Sequence, residues 1–268
     1  MPRLGTALRL AGAAAALLLA APAHAQSDYD YAMQLANPLS NLISVPFQLN
    51  YNGNFRPRDG HQYTLNIQPV IPFSISENWN LISRTIVPIV SQDDVAPEFR
   101  SQFGLGSTVQ NFFFSPKQPT AGGLTWGAGP VFLIPTDTDG LGSNQWGAGV
   151  TGVALRQTGP WTLGLLANHI WSITGNDTDG DISRTFLQPF VNYTTPRATS
   201  FFLNTEASYD WEGDQWLVPI NAGVNQLLSI GGRKVQVGGG LRYWAESPDF
   251  GPQGWGARLV MTFLFPRL

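Results

Sequence analysis

Four arginines, Arg84, Arg184, Arg242 and Arg258, and one glutamate, Glu206, sit in the middle of stretches where apolar and polar residues alternate. The polar positions that accompany them are nearly all neutral amides: Asn50, Asn66, Gln68, Gln110, Asn168, Gln188, Asn192, Asn204, Asn221, Asn225 and Gln236. Guanidinium groups and amides together offer many N–H donors and little negative charge. Gathered on one surface, they would attract anionic or uncharged polar solutes. They would equally well bond to one another and fill a narrow interior. Phe186, Phe190, Phe202 and Trp244 fall at the same alternate positions, so that surface would also carry aromatic patches.

Other chemistry is sparse. Histidine occurs at positions 24, 61 and 169 only. A hydrolytic site on a strand needs a nucleophile, a histidine base and an orienting partner within reach. In His169-Ile170-Trp171-Ser172 a tryptophan stands where a His-x-Ser-Asn run has its serine, so no catalytic residue is assigned. The loop Asn176-Asp177-Thr178-Asp179-Gly180-Asp181 resembles the oxygen-rich start of a calcium loop. It lacks a downstream bidentate glutamate, the nearest residues being Gln188 and Pro189. Asp, Asn and Gly are also what a tight turn requires. Asp177, Asp179 and Asp181 are therefore weak metal candidates, and no cofactor is implied.

Strands must position the arginines and amides. The stretch His61–Val90 reads as a hairpin, with Tyr63, Leu65, Ile67, Ile71 and Phe73 on one face of its first arm and Thr64, Asn66 and Gln68 on the other. Twelve such segments recur, near 42–54, 61–74, 78–90, 103–115, 122–135, 145–157, 160–173, 182–194, 199–210, 215–229, 233–244 and 254–266. Ahead of them, 1–25 has the basic start, apolar run (Leu10–Ala21) and Ala23-His24-Ala25 site of a secretory signal peptide. Residues 26–41 read as a leader with one or two helical turns ending before Asn37-Pro38, suited to plugging a barrel that spans 42–268.

Composition separates the two settings in which two-faced strands occur. Charged residues are 12% of the chain, about half the usual share. There is no cysteine, while nine Trp and sixteen Phe are present. Transmembrane strands alternate apolar outward and polar inward between aromatic girdles, and Trp79, Trp126, Trp146, Trp161, Trp171, Trp211, Trp216 and Trp255 fall near strand ends. A net charge of −3 without a basic patch argues against nucleic acid as a partner. The expected fold is an all-β, closed antiparallel transmembrane barrel of about twelve strands.

The connections alternate in kind. One set is long and acidic (91–102, 136–144, 174–181, 210–215 and 245–253), joined by the long first connection, Asn52–His61. The other is short: around Glu77 and Lys117, at Gly159-Pro160, at Pro196-Arg197 and at Gly231–Lys234. Transmembrane barrels have short periplasmic turns and longer outer loops, so both termini are expected in the periplasm and the acidic loops outside. There the carboxylates would share divalent cations with lipopolysaccharide or simply solvate the rim. Pro46, Pro69, Pro72, Pro88, Pro130, Pro135, Pro189 and Pro219 lie inside expected strands, which predicts bulges near the rims.

The runs Asn37-Pro38, Leu42–Gln48, Leu65–Phe73, Trp79–Pro88, Phe103–Gly106, Gly127–Pro130, Gln188–Tyr193 and Phe263–Pro266 extend over essentially the whole of 26–268. In them the chain resembles the bacterial outer-membrane family named for the MetA pathway of phenol degradation. The resemblance implies a barrel that works in transport and carries over no catalytic residue. The last strand, with Ala257, Leu259, Met261, Phe263 and Phe265 on one face, resembles the segment that barrel-assembly machinery recognises, although it ends Pro266-Arg267-Leu268 rather than on the aromatic. Two functions follow as expectations: an outer-membrane channel or transporter for small solutes, hydrophobic or aromatic ones included, or a non-transporting structural or adhesion barrel acting through its acidic loops.

Overall fold

The computed structural model describes residues 27–96, 99–173 and 180–265; the expected signal peptide lies outside them. Among the described residues one helix, α1 (Asp28–Leu35), precedes twelve antiparallel strands that close on themselves. They are β1 (Ile43–Phe55), β2 (Gly60–Ile67, resumed as Val70–Ser74), β3 (Trp79–Ala96), β4 (Phe99–Leu105, resumed as Thr108–Pro116), β5 (Leu124–Ile134) and β6 (Gly147–Thr158). The second half holds β7 (Trp161–Ser172), β8 (Ser183–Thr194), β9 (Thr199–Thr205, resumed as Ala207–Asp210), β10 (Gln215–Ile230), β11 (Arg233–Glu246) and β12 (Gly254–Phe265). Neighbours in sequence pair throughout, and β1 pairs with β12 from Ile43↔Phe265 to Tyr51↔Ala257. Closure leaves no strand edge, as backbone placed in hydrocarbon demands.

The apolar face of the wall is its outside. Leu163, Leu165, Leu203, Val224, Leu241 and Leu259 are exposed, whereas Asn50, Asn111, Thr162, Asn221 and Arg258 on the opposite face are buried. Tryptophans form a belt at each end. Trp79, Trp126 and Trp161 lie by the short turns, with Trp79 against Trp126 and Trp161 against Tyr193. Trp171, Trp211, Trp216 and Trp255 lie at the other end, accompanied by Tyr209 and Tyr243. Rings of this kind settle at the headgroup level, apolar body inward and N–H or O–H to water.

At the long-loop end two expected loops are largely strand. β1 and β2 are joined by a turn over 56–59, and β3 runs on to Ala96, with Ser91, Gln92 and Asp93 opposite Phe103, Gln102 and Ser101. These hairpins project beyond the apolar belt, where neither face needs to be greasy, so no alternation marks them. At the short-turn end Gly231 and Gly232 both take positive φ (57° and 77°), the two-residue turn that matches strand twist.

Register shifts occur toward the long-loop rim, between Asn52 and Phe55 against β2 and between Asp93 and Ala96 against β4, and the wall is also interrupted in its interior. Strand pairing lapses at Gln68-Pro69, at Gly106-Ser107 and at Glu206. Only the Gly106-Ser107 lapse is a bulge: Ile89↔Leu105 and Ile86↔Val109 lie in registers one residue apart. Across the other two the register continues, as Phe47↔Ile67 with Ser44↔Val70 and Thr205↔Ile220 with Ser208↔Leu217 show. There a proline faces the gap and has no N–H to give: Gln68 N donates to Pro46 O at 2.9 Å, and Glu206 N reaches Pro219 O at 3.4 Å. A further register shift lies between Val218 and Pro219, against β11.

The leader occupies the short-turn end. Ser27 caps α1, its hydroxyl accepting from Asp30 N while Asp30 accepts from Ser27 N. Ala32 and Leu42 are buried with Ala198, Leu227 and Leu264, beside Tyr31 and Leu35. Past the helix, Leu39 enters an apolar cluster with Ile82, Phe113, Val153, Leu155 and Leu166 on the inner wall. Gly127 makes room for it, since a Cβ there would stand 3.0 Å from Leu39 Cδ2. Gln157 Nε2 donates to Met33 O at 2.9 Å, and Lys234 pairs with Asp28.

Candidate functional site in the barrel lumen

An inward-facing position on a strand recurs every second residue, and the polar set identified in the sequence uses that period to meet at mid-barrel. Glu206 lies where β9 lapses, and its Oε2 accepts from Arg242 Nη2 on β11 and Arg258 Nη2 on β12, each at 2.6 Å. Neutral amides hold both arginines from the other side. Arg242 Nε donates to Asn221 Oδ1 at 2.7 Å, Asn221 Nδ2 to Asn204 Oδ1 at 2.9 Å, and Arg258 Nε to Asn50 Oδ1 at 2.8 Å. The Arg242 guanidinium also lies 5.5 Å from the Trp244 ring centroid, within cation–π range. The side chains of Arg242 and Arg258 are 6% and 3% exposed, so a charge-assisted network carries this cluster rather than solvent.

Arg84, on β3, stands apart. Its Nη2 donates to Gln68 Oε1 at 2.8 Å, and no carboxylate lies within ion-pair distance among the described residues. Arg184 pairs with Asp210 at 2.8 Å nearer the long-loop end.

Three cavities surround these groups. One of about 440 Å³, at the long-loop end, is walled by amides including Asn50, Asn52, Gln62 and Asn66, with Gly251 and Pro252 over it. A second, about 370 Å³, opens at the same end between Ile86, Leu133, Leu166, Ile170, Ile182 and Phe186, with Arg84, Asn111 and Asn168 among its polar groups. Glu206, Arg242 and Trp244 line both. The third, about 230 Å³, lies at the short-turn end beneath the leader and is lined by Gln188, Asn192, Asn204, Asn225 and Gln236. Arg84 borders the second and third.

Asn66, Gln68, Arg84, Asn168, Arg184, Gln188, Asn192, Glu206, Asn221, Asn225, Arg242 and Arg258 therefore all face inward. Gln110 does not. Its neighbours Val109 and Asn111 line the lumen, and its own side chain bonds Thr85 Oγ1 at 2.6 Å and Ser83 Oγ at 3.0 Å on the outer face. The reason is the run Phe112-Phe113-Phe114: three aromatics in a row erase the alternation from which a face is read, and only Phe113, 1% exposed, points in. Asn111 is the residue missed by that slip. Also unforeseen is a ladder of amides in the projecting hairpins, Gln62 Nε2 to Gln92 Oε1 at 2.8 Å and Gln92 Nε2 to Gln102 Oε1 at 2.7 Å.

Of the metal candidates, Asp177 and Asp179 lie outside the described residues and Asp181 is exposed. No group of three metal-ligating side chains exists among the described residues. His169 is on the outer wall, its Nδ1 2.7 Å from Thr185 Oγ1 and its ring 4.1 Å from that of Trp171.

No protein-family model and no curated protein matches the sequence. Solved structures do match in shape. An outer membrane channel from Pseudomonas putida F1 is similar at a TM-score of 0.62 and 14% identity, covering 84% of this chain and 94% of that one. An outer membrane phospholipase from Salmonella typhi, solved as a dimer with bound calcium, reaches a TM-score of 0.49 and 10% identity over 90% of this chain and 98% of that one. The fold is that of an outer-membrane β-barrel.

Proposed function

We propose that this barrel is an outer-membrane channel or transporter for small solutes, with its short turns and both termini in the periplasm, its acidic loops outside, and its leader as a plug. One observation carries the reading. Cavities lined by amides and arginines follow one another from the long-loop end to the leader, and the leader closes the far end. A barrel serving only as a wall or an adhesin could fill its interior with polar groups bonded to one another, but it has no need of successive cavities between them. Charged rings set which ions a pore admits. At mid-barrel three guanidinium groups (Arg84, Arg242, Arg258) face one carboxylate (Glu206), leaving two positive charges in excess and favouring anionic or uncharged polar solutes.

Supporting this are the similar fold of the Pseudomonas putida channel and the resemblance to the phenol-pathway family noted above. The latter, with Phe186, Phe190 and Trp244 on the lumen, extends the solute range to aromatic compounds. The outer wall meets outer-membrane lipid, the acidic rim meets lipopolysaccharide, and the final strand meets the assembly machinery.

The test is planar-bilayer conductance of the detergent-folded protein with and without residues 27–41. Small, infrequent steps from the full chain and larger, sustained ones from the truncated form are expected. Silence from both, with folding established by heat-modifiable gel migration, would overturn the channel reading.

A further inference from the structure

We infer that the 370 Å³ cavity is a binding site for an organic carboxylate with a compact apolar body, whose carboxylate is taken by Arg84. This names the solute class for the proposed channel, and rests on that reading only for the ligand's route in. The argument begins with charge. Of the four lumen arginines, Arg242 and Arg258 share Glu206, and Arg184 holds Asp210. Arg84 has only the neutral amide of Gln68, although a guanidinium carries five N–H donors in a fork shaped for carboxylate. Glu206 borders the same cavity but lies beyond ion-pair distance of Arg84 and is already bonded by two other arginines. This cation is therefore only partly compensated in a largely apolar chamber, and a ligand anion would offset the remaining cost.

The surroundings specify the rest of the ligand. Ile86, Leu133, Leu166, Ile170 and Phe186 give the cavity apolar walls, the usual build of a small-molecule site in which a few polar groups fix orientation. Asn111 supplies a second, independent sign. It is 2% exposed, it lines the cavity, and its Oδ1 is buried without a hydrogen-bond partner. Of the seven buried side-chain atoms without a partner among the described residues, the Asn111 oxygen is the one whose residue lines this cavity, where a ligand could complete its bonding. Turned about its last bond, the same amide donates to a ligand oxygen. The carboxylate of Glu206 also borders the cavity, but its Oε2 is engaged by two arginines, so the local charge stays positive.

The test is calorimetric titration of the full chain, folded into lipid nanodiscs, with cyclohexanecarboxylate, its uncharged analogue cyclohexylmethanol, and acetate. Cyclohexanecarboxylate is expected to bind at one site at least tenfold more tightly than either of the others. Arg84→Gln should abolish the preference over the alcohol, and Arg84→Lys should keep part of it, with heat-modifiable migration showing both variants folded. Equal binding of acid and alcohol, a preference that survives Arg84→Gln, or acetate binding as well as the larger acid would each overturn the site. Binding is read here without flux. A barrel that is silent in bilayers yet shows the Arg84-dependent preference keeps the site and loses the channel; one that conducts but shows no preference does the reverse.

Discussion

Replacing Glu206 by Gln removes one negative charge from between two arginines while leaving a side chain of the same shape. Arg242 and Arg258 each lie 2.6 Å from Glu206 Oε2, and their side chains are 6% and 3% exposed. Unit charges about 4 Å apart at an effective dielectric constant near 20 attract by roughly 4 kcal/mol, before desolvation is counted. Removing one partner of a buried pair typically costs about 3–5 kcal/mol, because the other charge is left uncompensated. The glutamine oxygen still accepts one N–H, recovering about 1 kcal/mol. The expected loss is therefore ~2–4 kcal/mol, read as a lower midpoint for urea unfolding of the barrel in lipid vesicles, followed by tryptophan fluorescence. The same change raises the excess positive charge at mid-barrel from two to three, so reversal potentials under a salt gradient should move toward stronger anion preference. The double variant Glu206→Gln, Arg242→Met should be less unstable than additivity predicts, since it removes a stranded charge. An unchanged midpoint together with an unchanged reversal potential would refute the idea that this cluster organises the lumen.

Two further predictions concern the leader and the faces of β4. Leu39 is 5% exposed, and Leu39→Ala should cost about 2–5 kcal/mol of leader docking, multiplying the displaced fraction roughly 30- to 4,000-fold. Single-channel records of the variant should show longer open times, approaching those of the protein without residues 27–41; records like those of the parent would mean that the leader does not gate. On β4, Gln110→Leu should leave conductance and selectivity unaltered because Gln110 faces outward, whereas Asn111→Leu, one residue on, should change both. The opposite ranking would show that the face assignment is wrong.

The barrel was legible because each strand must keep one face for lipid. Leu163, Leu165 and Leu203 are exposed and their alternate neighbours Thr162, Leu166 and Asn204 face inward, a contrast that survives averaging along the chain. It fails where the constraint fails. Ser91–Ala96 and Asp137–Asn144 both read as acidic loop, yet the first is strand projecting beyond the membrane belt and only the second is irregular. The polar lumen was legible for a related reason, since an arginine in mid-strand has only one affordable direction to point. Which arginine would be left without an acid was not legible. That follows from a proline opposite Glu206 opening the β9 ladder, and from β11 and β12 bringing Arg242 and Arg258 to one oxygen.

The inner wall is not uniformly polar, and that asymmetry explains the leader. On the arc from β1 and β9 to β12 the lumen is built of amides and arginines, but Ile82, Phe113, Val153, Leu155 and Leu166 make the facing arc apolar toward the short turns. Left open to water, those side chains would forfeit about 1.5–3 kcal/mol apiece. Leu39 covers them, and Gly127 leaves space for it to do so. The hydrogen bonds that fasten the leader are few and peripheral, chiefly Gln157 to Met33 and the Lys234–Asp28 pair at the rim. Leu39 is the leader's apolar contact on this arc, separate from the packing of Ala32, Tyr31 and Leu35 against Ala198, Leu227 and Leu264, and it is the contact suited to exchange with a ligand of the same character. A solute with an apolar body that reaches Leu166 from the 370 Å³ cavity meets, a few side chains further on, the surface Leu39 now occupies. Arg84, bordering the cavities on both sides, is where its charged end would be held while that exchange takes place.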